Sequence, residues 1–121
     1  MQNDSPLIQV ELTAKFKRNL RILAKKYRSI RKDIQPVIEQ LQAGELPGDQ
    51  VTGVGCTIFK VRVKNSDIQK GKSGGYRLIY YLKTATKIIL VTIYSKSEQE
   101  DVAAEEIKNI LADFEQYQPE E

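Results

Sequence analysis

Along residues 7–12 the apolar side chains Ile8, Val10 and Leu12 alternate with Gln9 and Glu11, the period of a half-buried strand at a sheet edge or without a hairpin partner. Ahead of it, residues 1–6 are polar and include Pro6, the composition of a frayed start. From Thr13, a good N-cap residue, Phe16, Leu20, Leu23, Ala24 and Tyr27 return at helical intervals and predict an amphipathic helix. Ile34, Val37, Ile38 and Leu41 predict a second helix stopped by Gly44. Its start has two solutions: Asp33 as N-cap leaves Pro36 in the first turn, whereas a start near Ser29 places Pro36 inside the helix, where it should bend it. The two helices are expected to pack as an antiparallel pair.

Residues 45–55, with Pro47, Gly48, Gly53 and Gly55, lack either period and read as a loop. Three strands follow. Residues 57–64 alternate strictly, with Phe59, Val61 and Val63 against Lys60, Arg62 and Lys64, and residues 75–83 and 87–94 are rich in Tyr, Ile, Leu, Val and Thr. Their short connections imply antiparallel pairing. Ser97-Glu98-Gln99-Glu100 has the spacing of a capping box, which predicts a last helix starting there, with Ala103, Ile107, Ile110, Leu111 and Phe114 as its apolar face. The expected fold is α+β: an antiparallel sheet with the N-terminal helix pair on one face and a C-terminal helix, in the order β-α-α-β-β-β-α. The sheet's other face is then the place for function.

Length and cysteine content narrow the setting. The 121 residues suffice for one domain spanning 1–121, with residues 1–6 and 117–121 expected to be loose. The single cysteine, Cys56, makes no internal disulfide, and no leader or long apolar run appears, so the cytoplasm is the expected address and no membrane partner is expected.

Charge changes the picture more. Residues 1–97 carry 18 of the 19 Lys and Arg and 7 of the 16 acids, a balance of +11, while residues 98–121 balance at −8. A basic body followed by an acidic segment suits a phosphate-binding surface. Within it, Lys60, Arg62 and Lys64 stand about 7 Å apart on one strand face, set by the rise of two residues. Like charges in a line repel, and a polyanion laid across them relieves the repulsion. Arg77 adds a planar fork of donors on the neighbouring strand, opposite in side to Tyr76, Leu78 and Tyr80, and Tyr81 shares its face. The alternative is a solvated sheet face. The helix cations from Lys15 to Lys32 carry the same two readings: contact with the phosphates of a polyanion, or solvation.

The run Phe59-Lys60-Val61-Arg62-Val63, then Gly75-Tyr76-Arg77-Leu78-Ile79-Tyr80, then Ile93-Tyr94-Ser95-Lys96-Ser97-Glu98 resembles the RelE/ParE toxin superfamily. Gly71-Lys72-Ser73-Gly74-Gly75 resembles its HigB-type branch, and the likeness spans residues 7 to 112. It implies a toxin of a type II toxin-antitoxin system, silenced by a cognate antitoxin, that cuts messenger RNA on the ribosome by attack of a 2′-hydroxyl on the adjacent phosphate. No cofactor and no metal are expected. That reaction needs a base, stabilisation of the phosphorane and an acid for the leaving 5′-oxygen. The chain has no histidine. By resemblance, Lys60, Arg62 and Arg77 take the work, with Lys60 as candidate base, Arg77 as phosphate clamp and Lys96 as candidate acid or second clamp. Lys64, Lys70, Lys72, Tyr81 and Tyr94 complete the expected RNA-binding set, the two tyrosines having cross-strand or core packing as their alternative reading. Ser97 stands where the best-known RelE enzymes carry an arginine, and Ala103 where they carry a tyrosine. These departures favour a second reading, a ParE-like gyrase inhibitor that acts by binding; a third is a degenerate relative that only binds its antitoxin or RNA.

Overall fold

The computed structural model describes residues 8–68, 74–99 and 101–116. The chain runs β1 (Gln9–Leu12), α1 (Ala14–Lys26), α2 (Ile30–Gln42), β2 (Asp49–Val51), β3 (Ile58–Val63), β4 (Tyr76–Thr84), β5 (Lys87–Ser95) and α3 (Ala104–Gln116). The five strands form one sheet in the order β1-β5-β4-β3-β2. The class and element order match the expectation, with one short strand, β2, added from the Gly/Pro loop.

The sheet is mixed instead of wholly antiparallel, because β1 lies parallel to β5. Thr13 explains the placement. Its N–H donates to Leu90 O at 3.1 Å, and its hydroxyl both donates to Val91 O at 2.7 Å and accepts from Phe16 N at 2.9 Å. One side chain thus caps α1 and fixes that helix to β5. Since β1 leads directly into α1, it can join the sheet only beside the strand that Thr13 grips.

The helix α2 begins at Ile30, so Pro36 lies inside it, on an exposed face where the missing N–H leaves the freed acceptor near water. Asp33 does not cap the helix; it accepts from Ser66 N at 2.9 Å, while Asp67 accepts from Ser29 N at 2.9 Å. These two bonds tie the loop after β3 to the start of α2.

Alternation then sorts the sheet's side chains into two layers. Val61 and Val63 of β3, Tyr76, Leu78 and Tyr80 of β4, and Ile88, Leu90 and Ile93 of β5 pack under Phe16, Leu23, Tyr27, Ile30, Ile34, Val37 and Leu41 of the helix pair. Ile58, Ile79, Ile89, Val91 and Tyr94 face the other way and meet Val102, Ile107 and Leu111. So α3 covers one end of the face expected to be open, and the other end, near the start of β4, stays basic.

The helix α3 starts at Ala104, not at Ser97. Of the two capping-box residues, Ser97 places its Oγ 3.0 Å from Ser95 Oγ and Glu100 lies outside the described residues, while Glu98 between them reaches Lys26. Ala103 accordingly is exposed and precedes the helix instead of lining its apolar face.

Three tyrosines buried in or beside the sheet set an alkaline limit to the fold. Burial pushes Tyr80 up to about 12, and burial with the nearby Asp101 charge pushes Tyr94 up to about 12. Tyr76 is pushed up further by burial and by Asp33 and Asp67. An unfolded phenol ionises near ~10. Between that value and about 12 the unfolded chain loses protons that the folded chain keeps, so stability is full below this window and falls as pH rises through it. Each tenfold difference in proton affinity is worth about 1.4 kcal/mol, so urea denaturation should register a drop of at least ~3 kcal/mol across the window. A constant denaturation midpoint there would contradict the burial of these hydroxyls.

Candidate functional site

The alternation that buries Val61 and Val63 under the helix pair sends Lys60 and Arg62 to the opposite face of β3. The strand register then aligns Arg62 with Arg77 of β4, and Arg77 with Tyr94 of β5, in one row across three strands. Lys60 lies two residues along β3 on the same face, paired with Ile79. The cations of two adjacent strands therefore converge on one surface.

Two guanidinium residues directly opposite one another oppose folding. Arg62 is exposed and can turn to water, whereas Arg77 is only 6% exposed. Its Nη1 donates to Tyr76 O at 3.1 Å. A guanidinium buried beside a second one is costly to a fold and is well suited to stabilising a bound anion.

A carboxylate already sits on this surface. Asp101 Oδ1 accepts from Lys60 Nζ at 3.2 Å, from Tyr94 Oη at 3.3 Å and from Val102 N at 2.8 Å. The Val102 N–H above all, with Lys60 and Tyr94, holds the Asp101 carboxyl below the usual carboxylate range. Tyr94, pushed up to about 12, is a neutral phenol at physiological pH and can act only as a donor to an anion. Lys60 likewise acts here as a donor. A base role requires it first to be relieved of Asp101.

The remaining expected residues divide. Lys64 follows the end of β3 and is exposed. Lys96 is half-buried just past β5, with its N–H on Gly75 O at 2.9 Å, which sets it beside the start of β4 and near Arg77. Tyr81 is on the same face as Arg77, yet it lies four residues along β4, about 13 Å at strand rise, and packs with Ile58, Cys56 and the α3 cluster. Lys70 and Lys72, and with them most of the Gly71-Lys72-Ser73-Gly74-Gly75 run, lie outside the described residues. Ser97 and Ala103 are both exposed and bring neither a guanidinium nor a phenol to the surface.

Sequence reasoning missed Asp101 and Glu98, counting both as acids of the tail segment. Asp101 is 41 residues from Lys60, and no spacing rule joins a residue before a helix to a strand that far away. On the flank, residues 15–32 hold nine Lys and Arg and no acid, and eight of the nine are exposed. Lys26, the last residue of α1, pairs with Glu98 at 2.7 Å.

These features form a small α+β domain whose basic sheet face is bordered by a basic helix. A family model, described as the RelE toxin of the RelE / RelB toxin-antitoxin system, matches residues 9–118. The match covers every strand and helix from β1 to α3, including the row of Arg62, Arg77 and Tyr94, and the chain therefore belongs to the RelE toxin family.

Proposed function

We propose that this toxin binds messenger RNA on the ribosome across the face formed by β3, β4 and β5 and cleaves it by promoting attack of a 2′-hydroxyl on the neighbouring phosphate. Family membership gives the toxin role and an antitoxin as partner. The reading of the chemistry is carried by one observation: Arg62, Arg77 and Tyr94 stand in a single row, with Lys60 on the same face.

In such a reaction negative charge grows on the phosphorane oxygens, and fixed donors aimed at that charge lower the barrier. Arg77 offers a bidentate fork, Arg62 a second cation, and Tyr94 a neutral hydroxyl. Lys60, once free of Asp101, is placed to move the proton of the attacking hydroxyl, and Lys96 to supply one to the leaving oxygen or to hold a second phosphate oxygen. Lys64 and the helix cations extend the surface along the RNA backbone and bind without regard to sequence.

The test is to map messenger 5′ ends after brief induced expression of the wild-type chain and of Lys60→Ala. New ends that appear with wild type and fall by at least ~100-fold with the variant support the reading. Unchanged ends in both would remove it.

Ser97 and Ala103 favour a second reading, arrest of DNA gyrase by binding alone. In that case induced expression breaks DNA and halts replication while messenger lengths stay normal.

A further inference from the structure

Two carboxylates from one short segment reach cations that belong to different parts of the fold. Glu98 Oε2 lies 2.7 Å from Lys26 Nζ on α1, and Asp101 Oδ1 lies 3.2 Å from Lys60 Nζ on β3. The segment is aimed by its own hydrogen bonds: the N–H groups of Glu98 and Gln99 both donate to Ser95 O at 3.0 Å, and Gln99 Nε2 donates to Asp101 O at 2.9 Å. Glu98 thus reaches the basic helix stripe from a foot at the end of β5, and Asp101 reaches the basic sheet face.

A carboxylate oxygen and a non-bridging phosphate oxygen accept from the same donors. Asp101 gathers an ammonium from β3 and a phenol from β5 onto one oxygen, as an anion bound from solution would. We propose that Glu98 and Asp101 occupy the positions of two phosphates of the bound RNA strand, which enters by displacing them. Lys26 is thereby a phosphate-binding residue, and the free toxin is blocked by its own acids. The inference rests on the reading of this face as an RNA site.

The arrangement has the strength such a block needs. The Glu98 and Asp101 side chains are 45% and 65% exposed, so both ion pairs are weak. A strand with many phosphates gains by releasing counterions at several cations together and can replace them, whereas an isolated small anion lacks that gain.

The test measures binding of a short single-stranded RNA carrying 2′-O-methyl groups, which cannot be cleaved, to the full chain by fluorescence anisotropy. The double variant Glu98→Gln/Asp101→Asn keeps the shape of both side chains and should bind about tenfold more tightly than wild type. A control, Glu39→Gln/Glu45→Gln, removes the same charge from carboxylates that accept from Gln35 and Gln40, and should change binding by less than about twofold. Lys26→Ala and Lys60→Ala should each weaken binding. If the Glu98/Asp101 variant binds no more tightly than the control while Lys60→Ala still weakens binding, the self-block is wrong and the RNA site stands. If Lys60→Ala and Lys26→Ala both bind as wild type does, the site itself is wrong and the self-block falls with it. Unfolding curves of each variant, expected to overlay that of wild type, keep a loss of fold from being mistaken for either result.

Discussion

An Arg77→Met chain is expected to cleave RNA at least ~100-fold more slowly than wild type and to lose its growth arrest, while its urea midpoint moves by no more than about 1 kcal/mol in equivalent stability. Methionine retains most of the apolar stem that is buried between the strands, so packing survives. The substitution removes the hydrogen bond to Tyr76 O, a loss, and also ends the opposition of Arg62 and Arg77 across the strand pair, a gain. The fork of donors for phosphate is lost outright. Growth assays in parallel with urea denaturation check both halves. Intact toxicity would show that the guanidinium does not serve the reaction. A collapse in stability would show instead that Arg77 is structural.

Much of this was legible in the sequence because period two and period 3.6 report directly on which face of an element is buried. The alternation of residues 57–64 sufficed to place Lys60 and Arg62 together away from the helix pair, and that of residues 75–83 to place Arg77 opposite in side to Tyr76 and Leu78. The element order followed from the same patterns. What escaped was set by pairwise contact over long separations. The parallel seat of β1 depends on Thr13 meeting β5, and local pattern carries no sign of that partner. The start of α3 lies at Ala104 instead of Ser97: the Ser97 hydroxyl meets its near neighbour Ser95, and Glu98 beside it meets Lys26 of α1. Asp101 was hidden for the same reason: its identity as an acid was plain, but its neighbours were not.

The second large effect is expected at Gly75. A Cβ there would be driven into the carbonyl of Val63 and crowd Asn65 N at 3.1 Å, both backbone groups of the strand and loop that must run alongside. No side chain can swing aside to make room, so β3 and β4 must part where Arg62 and Arg77 face each other. Gly75→Ala should cost more than ~3 kcal/mol and yield largely insoluble protein. Gly53→Ala is the matched comparison for a glycine whose added Cβ would meet nothing within 4 Å; its positive φ of 87° still exacts a smaller strain. Measured by urea denaturation, equal stability of the Gly75 variant and wild type would mean that the strands do not approach as closely as described.

The grip of Thr13 on β5 has a consequence for synthesis. The two residues joined by its hydroxyl are 78 positions apart, so the sheet closes only after β5 has left the ribosome that makes it. Until then β4 has no neighbour on one side and Arg77 has no Tyr94 beside it. The nascent chain thus lacks the assembled row of Arg62, Arg77 and Tyr94 for most of its translation.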